Sequence, residues 1–440
     1  MNPIVAKFGG SSLADAAQIR KVAAIIKADS DRKYIVVSAP GKREDGDIKV
    51  TDLLYQCHFL AERGLGFEVP FSSIRGRFSE IVHELGINFD LEGELRAIYE
   101  RFSAAPDRDY IASRGEYLNA KIISDFLGFD FVEPADNIFF GENGRLDGER
   151  TFAGLGERLQ DLSYAVIPGF YGAMPDGRVR TFSRGGSDIT GSIVARAVNA
   201  RLYENWTDVS GLLSADPRIV TNPKVIESIT YTELRELSYM GASVLHEDAI
   251  FPVKTVGIPI NIRNTNQPDE LGTTITSSLK DDTQARTVTG IAGRKGFSAV
   301  IVEKSMMNAE VGFGAGLLQV FAEHGVAFEH CPSGIDTLSL IVNTEHFAAS
   351  KEAILRDIWR EMEPESISVQ DGLAMIAVVG QGMVLSRGTA VRVFKALADA
   401  EINIRMIDQG PSELNIIVGV DEADFEDAIR AIYRGMESLM

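Results

Sequence analysis

Cysteine is scarce in this chain: only Cys57 and Cys331 are present, far apart in the sequence and outside any CxxC pair. Disulfide-stapled secreted domains and cysteine-based zinc sites need more cysteines at closer spacing. The six histidines also lack the HxxxH spacing that places two ligands on one helix face. We therefore expect two reduced thiols and no metal site built from side chains.

Long apolar runs and basic clusters are missing as well. No stretch of about 18 apolar residues is available to cross a membrane, and the N-terminus carries no basic segment followed by an apolar one. The formal net charge is −19, whereas nucleic-acid binding requires clustered Lys and Arg to neutralise phosphates. We expect a cytoplasmic protein whose partners include neither nucleic acid nor a membrane.

Short β-branched runs alternate with helical periodicity up to about residue 286. Helical spacing is carried by two apolar sets, Ile19, Val22, Ala23 and Ile26, and then Leu118, Ile122 and Phe126. Strands are predicted at residues 4–8, 34–38, 164–168, 201–207 and 259–262. Such alternation favours an α/β fold with a parallel sheet covered on both faces, whose ligands bind at the edge where the strands end.

Beyond a polar, turn-rich stretch at residues 264–286, the sequence repeats itself. Each copy is predicted to run strand, glycine turn, amphipathic helix, strand, turn and strand. The glycine-rich residues 312–316 and 380–382 are interpreted as structural or effector-binding turns of these copies, not as a dinucleotide loop. We predict a first region at residues 1–286 and two repeats at residues 287–368 and 369–440, which pack together because neither copy has much core alone.

Two glycine-rich segments could bind anions. Residues 7–12 (KFGGSS) follow a strand, where glycines let backbone amides approach a phosphate and Lys7 could neutralise it. Residues 181–188 (TFSRGGSD) precede a helix, where Arg184 could hold a carboxylate bidentately. A plain strand-to-helix turn and a simple N-cap by Ser187 or Asp188 remain the alternative interpretations.

Two further segments carry polar groups that are typical of turns and caps as well as of sites. Thr207 and Asp208 end a predicted strand, and residues 216–218 (DPR) are predicted to form a turn. Ser113 and Glu116 have the spacing of a capping box at a helix start. In a functional interpretation, Glu116 would accept hydrogen bonds from an ammonium group.

Taken together, these segments resemble the aspartate kinases in order and spacing. The matching motifs are KFGGSS at residues 7–12, SRGE at 113–116, RGGSD at 184–188, TDVSG at 207–211, DPR at 216–218 and GASVLH at 241–246. The tandem repeat resembles the paired regulatory ACT domains of the same enzymes. The resemblance implies an amino-acid-kinase αβα sandwich, similar to carbamate kinase, followed by two ferredoxin-like α+β ACT domains.

The resemblance also implies an activity and residue roles. The activity is transfer of the γ-phosphoryl group of MgATP to the β-carboxylate of L-aspartate, the first step of lysine, threonine and methionine biosynthesis. Lys7 and Asp188 would be catalytic. The implied ATP site comprises Lys7, Phe8, Gly9, Gly10, Thr207, Asp208, Leu213, Arg218, Ser243 and Val244. The implied aspartate site comprises Thr51, Glu116, Arg184, Gly185, Gly186 and Ser187, with Arg184 on the α-carboxylate and Glu116 on the ammonium group.

Four positions depart from the family pattern. Ser183 stands where a glycine is usual, Leu213 where many relatives carry an aromatic residue, Ser243 where many carry lysine, and Glu247 where proline is common. These departures concern the detailed ATP contacts and leave Lys7, Arg184 and Asp188 in place.

The ACT-like repeats imply feedback inhibition and a homodimer or higher homo-oligomer. The effector would be an amino acid, lysine first and threonine second, bound by Glu329, Ser333 and Gly334 of the first repeat. Two alternatives are another kinase of the same fold, acting on a different acceptor, and a non-catalytic amino-acid sensor. The SRGE motif and the ACT-like pair argue against the first alternative, and the intact Lys7, Arg184 and Asp188 argue against the second.

Overall fold

The computed structural model describes residues 2–183, 185–242, 245, 247–278 and 286–440, with only the backbone described at residues 247 and 248. The chain divides into two compact units. The first comprises Met1–Leu212, Val225–Tyr231 and Val244–Ser278, and the second comprises Leu213–Lys224, Thr232–Ser243 and Leu279–Met440. The chain therefore leaves the first unit for the second twice before it finally enters the regions of the repeat.

The first unit is built on an eight-stranded sheet. Its strands, together with two short pairs outside that sheet, are β1 (Ile4–Phe8), β2 (Arg32–Val37), β3 (Asp130–Phe131), β4 (Ala165–Pro168), β5 (Tyr171–Ala173), β6 (Val179–Thr181), β7 (Leu202–Thr207), β8 (Leu212–Leu213), β9 (Val225–Ile226), β10 (Ser228–Thr230), β11 (Ile260–Asn264) and β12 (Thr273–Thr276). The order across the sheet is β10-β12-β11-β7-β1-β2-β4-β3. All neighbours are parallel except β11 and β12, so the predicted parallel sheet is confirmed.

Helices accompany this sheet along the chain. They are α1 (Ala16–Lys27), α2 (Val50–Ala61), α3 (Glu68–Leu85), α4 (Leu91–Ala104), α5 (Arg108–Leu127), α6 (Gly148–Gln160), α7 (Gly186–Ala197), α8 (Tyr231–Tyr239) and α9 (Glu247–Lys254). The apolar stripe predicted for α1 is buried at each of its four positions, and the Asp15 carboxylate caps the helix by accepting from the Gln18 N–H. Most of α8 belongs to the second unit.

One helix begins earlier than the sequence pattern predicted. The capping-box spacing placed a helix start at Ser113, but α5 begins at Arg108 and its N-cap is Asp107, whose carboxylate accepts from two backbone N–H groups. The Ser113 hydroxyl instead donates to the Tyr110 carbonyl oxygen within the second turn. The capping-box prediction is therefore wrong, because the S-x-x-E spacing also arises inside a helix, where the same two residues share one face.

The second unit contains one six-stranded antiparallel sheet. Its strands are β13 (Gly290–Glu303), β14 (Phe328–His330), β15 (Thr337–Asn343), β16 (Ser366–Val379), β17 (Met406–Asp408) and β18 (Asn415–Asp421), in the order β14-β15-β13-β16-β18-β17. Its helices are α10 (Phe313–Glu323), α11 (Thr344–Ala348), α12 (Lys351–Met362), α13 (Thr389–Asp399) and α14 (Phe425–Met436). The order of elements predicted for both copies of the repeat is confirmed.

The two long strands β13 and β16 join the copies. They pair antiparallel over almost their whole length, with irregular register near Lys295 and Phe297. Val300 and Val302, late in β13, pack in one hydrophobic core with α10 and α12, whereas Ile291, early in the strand, packs in the other core with α13 and α14. Each copy thus completes the core of the other. The boundaries at 286/287 and 368/369 stay predictions.

A buried charge network supports the central strands of the first unit. Glu204 on β7 is 2% exposed and accepts two hydrogen bonds from Arg32, at 2.7 and 3.1 Å. Arg263 on β11 lies 3.7 Å from the same carboxylate, and the Trp206 indole N–H donates to it at 2.9 Å. One carboxylate therefore compensates the buried guanidinium group of Arg32 and the partly buried one of Arg263.

Replacing Glu204 by Gln should destabilise the first unit by about 3–5 kcal/mol, because the buried Arg32 and the partly buried Arg263 would lose their counter-charge while the side chain keeps its shape. Urea unfolding followed by tryptophan fluorescence measures the change. Arg201→Gln, which removes a half-exposed pair with Asp31, is the control and should cost less than about 1 kcal/mol. Equal costs for the two variants would contradict a structural role for the buried network.

Candidate active site

The carboxyl ends of the central strands meet at one edge of the sheet, as predicted from the alternation of strands and helices. Phe8 at the end of β1 lies opposite Val37 on one side and Trp206 on the other. The loop after β1 is held against its neighbours by backbone hydrogen bonds: the Gly9 N–H donates to the Trp206 oxygen at 2.9 Å, and the Gly41 N–H donates to the Gly10 oxygen at 2.8 Å.

Close backbone packing explains the glycines of this loop. A β-carbon on Gly10 would lie 2.9 Å from the Ala39 carbonyl oxygen, and one on Gly41 would lie 2.6 Å from the Gly10 carbonyl carbon. Both distances are too short for any other residue without backbone movement. The loops after β1 and β2 therefore touch only because both carry glycine, and the plain-turn interpretation of residues 7–12 does not account for that contact.

Lys7 and Asp188 form a close ion pair at this edge. Lys7, on β1, is 7% exposed, and its Nζ lies 2.5 Å from the Asp188 Oδ1 in the first turn of α7. Asn205 on β7 bridges the pair: its Oδ1 accepts from Lys7 at 3.3 Å and its Nδ2 donates to Asp188 at 2.8 Å. A mostly buried cation held by a carboxylate and an amide is preorganised to face a developing negative charge.

The N-terminus of α7 lies beside this pair. Its N-cap is Gly185, with a φ of +60° that favours glycine, so neither Ser187 nor Asp188 caps the helix. Gly186 and Ser187 are buried against Phe170 and Gly169, which follow β4. The alternative of a simple side-chain N-cap is therefore wrong. The N–H groups in the first turn of any helix have no acceptor within the helix and favour an anion.

Glu116 lies on α5, facing the loop after β2. It is 4% exposed, and burial raises the pKa of its carboxyl to about 8 although the Ala39 N–H donates to it. Its Oε2 has no hydrogen-bond partner among the described residues. A buried carboxylate oxygen without a partner is costly, and an ammonium group would satisfy it.

The loop after β2 is held in place by an arginine of α3. Arg77 on α3 is 5% exposed and pairs with Asp47 at 2.6 Å. It also donates to the carbonyl oxygen of Gly41 at 2.5 Å. Hydrogen bonding from Arg43 holds the pKa of the Asp47 carboxyl well below its usual range. This anchoring orients the loop that precedes Thr51, the second residue of α2.

The structure places the remaining predicted ligands as follows. Thr207 ends β7 at the same edge, and its hydroxyl donates to the neighbouring Asp208 at 3.2 Å. The ring of Phe8 is fully buried and stacks on Trp206 with centroids 5.9 Å apart, so only its backbone faces the edge. Leu213 and Arg218 belong to the second unit, where the Arg218 guanidinium donates to both carboxylate oxygens of Asp216 in the predicted turn.

Arg184, Ser243 and Val244 lie outside the described residues, and the assignments made for them stay predictions. The effector residues lie in the second unit. Glu329, in β14, accepts a hydrogen bond from the Tyr239 hydroxyl. Ser333 is exposed, and the adjacent Gly334 N–H donates to the Thr337 oxygen at 2.7 Å.

Sequence reasoning missed Asn205 and Asn119. Asn205 joins the two predicted catalytic side chains, and Asn119 on α5 donates to the Ser38 oxygen at 2.7 Å, at the end of β2. A signal for Asn205 was present, since an amide within a buried, strand-forming run is costly unless it is paired. Nothing in the sequence distinguished Asn119 from an ordinary helix residue.

No group of three or more His, Cys, Asp or Glu suitable for a metal ion occurs in the part of the chain that the structure describes. Among the same residues, no helix is long and apolar enough to cross a membrane.

Comparison with known proteins agrees with this architecture. Residues 2–264 match the amino acid kinase family, and residues 376–436 match the ACT domain. Aspartokinase 3 of Bacillus subtilis is 40% identical over 98% of both chains. The crystal structure of Clostridium acetobutylicum aspartate kinase superimposes with a TM-score of 0.90 at 48% identity, covering 99% of this chain and all of that one.

A more distant structure shows the same fold. Aspartokinase III of E. coli, solved in complex with aspartate and ADP, has a TM-score of 0.74 at 24% identity and covers 99% of this chain. The predicted fold class, an amino-acid-kinase domain followed by ACT domains, is confirmed. The chain belongs to the aspartokinases, within the amino acid kinase family.

Proposed function

We propose that this chain phosphorylates the β-carboxylate of L-aspartate with ATP, giving 4-phospho-L-aspartate and ADP. The observation that carries the proposal is the Lys7–Asp188 ion pair at the sheet edge, with Glu116 on the neighbouring helix, whose Oε2 has no partner among the described residues. A cation for the phosphoryl group and an acceptor for an ammonium group are the two features that an amino-acid kinase requires.

The reaction requires the protein to position the two substrates and to neutralise charge on the transferring group. The β-carboxylate of aspartate is ionised at neutral pH, so no strong general base is needed. One of its oxygens attacks the γ-phosphorus, the bond from phosphorus to the β,γ-bridging oxygen breaks, and ADP leaves with that electron pair. Lys7 neutralises charge on the transferring group, Asp188 holds Lys7 in place, and the amides of the first turn of α7 face the same anion.

Aspartate would be held by its backbone groups. Its ammonium group would donate to Glu116 Oε2, and the Arg184 guanidinium would bind its α-carboxylate through two parallel hydrogen bonds. Thr51, Gly185, Gly186 and Ser187 would line the acceptor site around these two charges. This arrangement leaves the β-carboxylate as the free end of the substrate, which would point toward Lys7.

The nucleotide would lie along the loop after β1, with Gly9 and Gly10 on its phosphates. Phe8, Thr207, Asp208, Leu213, Arg218, Ser243 and Val244 complete the proposed ATP contacts. Mg²⁺ would accompany ATP, held mainly by the phosphates and water, since this ion needs few protein ligands. When bound, it would neutralise charge on the β- and γ-phosphates.

We further propose that the chain acts in the cytoplasm as a homodimer or higher homo-oligomer and is inhibited by an end-product amino acid. Lysine is the first candidate and threonine the second. Glu329 would bind the effector's ammonium group, and Ser333 with the backbone amides near Gly334 would bind its carboxylate. In support, E. coli aspartokinase III has been solved in complex with lysine and aspartate in a T-state.

The activity and the role of the Lys7 ammonium group can be tested in one assay, in which hydroxylamine traps the acyl phosphate. L-Aspartate should exceed glutamate and acetylglutamate in kcat/KM. Lys7→Ala should lower kcat by about 10²–10³-fold, because a preorganised charge acts mainly in the transition state. The control is Lys27→Ala, an exposed lysine at the end of α1. A better acceptor than aspartate would refute the function, and a normal kcat for Lys7→Ala would remove Lys7 from the mechanism.

Glu116 should make aspartate binding dependent on pH. Only the ionised carboxylate attracts an ammonium group, and its raised pKa of about 8 leaves much of it protonated at neutral pH. We expect kcat/KM for aspartate to rise between pH 6.5 and 9, with no matching change in the KM for ATP. Glu116→Gln should abolish this rise and increase the KM for aspartate far more than that for ATP. Parallel changes in both KM values would indicate a structural role instead.

Feedback inhibition provides a test of the effector site. Ser333→Leu should lose most inhibition by lysine while it keeps most of its kcat. The free energy that couples an effector site to an active site is typically about 1–3 kcal/mol, and the substitution would remove it without changing the reacting groups. Ser350→Leu, in the same unit, is the control and should remain inhibited. A wild type that stays fully active in saturating lysine and threonine would rule out the proposed regulation. Normal inhibition of Ser333→Leu would place the effector site elsewhere.

A further inference from the structure

Asn205 is a buried amide whose two ends face opposite charges. It lies on β7, is 4% exposed, and is paired in register with Lys7 of β1. Its Oδ1 accepts from the Lys7 ammonium at 3.3 Å, and its Nδ2 donates to Asp188 Oδ1 at 2.8 Å. Both amide ends are therefore used within the ion pair that the proposed function depends on.

The chemistry of the three groups dictates the orientation of this amide. An ammonium group can only donate and an ionised carboxylate can only accept, so the amide oxygen must face Lys7 and the amide nitrogen must face Asp188. Neither an alkyl side chain nor a carboxylate can perform both tasks. The hydroxyl of Tyr203, two residues earlier on the same strand, donates to the Asp188 backbone oxygen at 3.0 Å and holds that residue from the same side.

A purely structural role does not account for the position of this amide. The neighbouring Glu204 points to the opposite face of the sheet, as successive strand residues do, and serves the separate network with Arg32 and Arg263. On the Asn205 face, an aliphatic residue would fill a buried strand position without the cost of desolvating an amide.

We propose that Asn205 is a positioning residue for phosphoryl transfer, one that holds the Lys7 ammonium between the Asp188 carboxylate and the site of the transferring group. Without the amide, Asp188 is the one remaining partner of Lys7 among the described residues, and the ammonium group can move about that single contact. Misplacement of a catalytic group by about 1 Å can cost about 10²-fold in rate. The inference rests on the proposed function, because it assigns a task to the same ion pair.

Two substitutions separate positioning from packing. Asn205→Leu removes both hydrogen bonds and should lower kcat by about 10–100-fold, with the KM values for aspartate and ATP changed less than about 3-fold. Asn205→Asp keeps the shape. When protonated, the introduced carboxyl can donate to Asp188 and accept from Lys7 as the amide does, but when ionised it repels Asp188. Its kcat, relative to wild type, should approach normal at low pH and fall as pH rises.

The groups that face this position among the described residues are Lys7, Asp188 and the Tyr203 hydroxyl, and burial raises the pKa of Tyr203 well above its usual range. Tyr203 therefore stays neutral through the pH range of the experiment. The introduced carboxyl and Asp188 would share one proton as a coupled pair. The fall in relative kcat with rising pH should be present in Asn205→Asp and absent from Asn205→Leu.

Asn261→Leu is a matched control. Asn261 is also a buried strand asparagine, 8% exposed on β11, but it donates to the backbone oxygens of Leu271 and Thr273, away from the ion pair. Its loss should lower stability and leave kcat within about 2-fold, since it touches no reacting group.

The measurement is kcat and both KM values from pH 6 to 9.5 for wild type and the three variants, with urea unfolding as a check on folding. A kcat for Asn205→Leu within 2-fold of wild type would overturn the inference, as would a kcat for Asn205→Asp that is reduced equally at all pH values. If Asn205→Leu does not fold, the pH profile of the isosteric Asn205→Asp decides alone. Failure of the wild type to phosphorylate aspartate would instead refute the proposed function.

Discussion

The contact between Lys7 and Asp188 is the constraint around which the first unit is arranged. It joins the end of β1 to the first turn of α7, two elements separated by about 180 residues of chain, over 2.5 Å. A buried ion pair is stable only when its geometry is good and its remaining hydrogen-bonding capacity is satisfied. Asn205 and the strand pairing of β1 with β7 meet that condition. A β-carbon on Gly9 would lie 3.7 Å from the Lys7 Nζ, so glycine at that position keeps side-chain atoms away from the ammonium group.

Charge is distributed on two faces of the same strand. On β7, Asn205 faces the Lys7–Asp188 pair, while Glu204 faces Arg32 and Arg263. The two faces have different consequences, because Glu204 compensates Arg32 and Arg263 inside the protein, whereas the Lys7–Asp188 pair lies at the sheet edge where the strands end. Polar residues on this buried strand therefore have two roles: Glu204 stabilises the fold on one face, and Asn205 contacts the proposed catalytic pair on the other.

The second unit includes two earlier stretches of the chain besides the repeats. Leu213 and Arg218 lie in the first excursion of the chain into the second unit, and Ser243 ends the next one. Within that unit α8 is held to the regulatory sheet: Glu233 accepts from the Thr289 hydroxyl at 2.6 Å, and Glu236 accepts from Asn415 at 2.7 Å. Side-chain hydrogen bonds thus join α8 to the repeats within the second unit.

The sequence by itself determined the parallel sheet, the tandem repeat and the family, because strand composition, helical spacing and ordered glycine motifs are local properties. It also identified Lys7, Asp188 and Glu116 as candidates, yet it misplaced the start of α5, since an S-x-x-E spacing occurs both at helix starts and within helices. Only the tertiary structure decided that Asn205 bridges Lys7 and Asp188, that Glu116 is buried with one oxygen lacking a partner among the described residues, and that β13 contributes to both cores of the repeat. Those features depend on which distant segments meet and on how much water they exclude, and neither quantity is contained in the order of neighbouring residues.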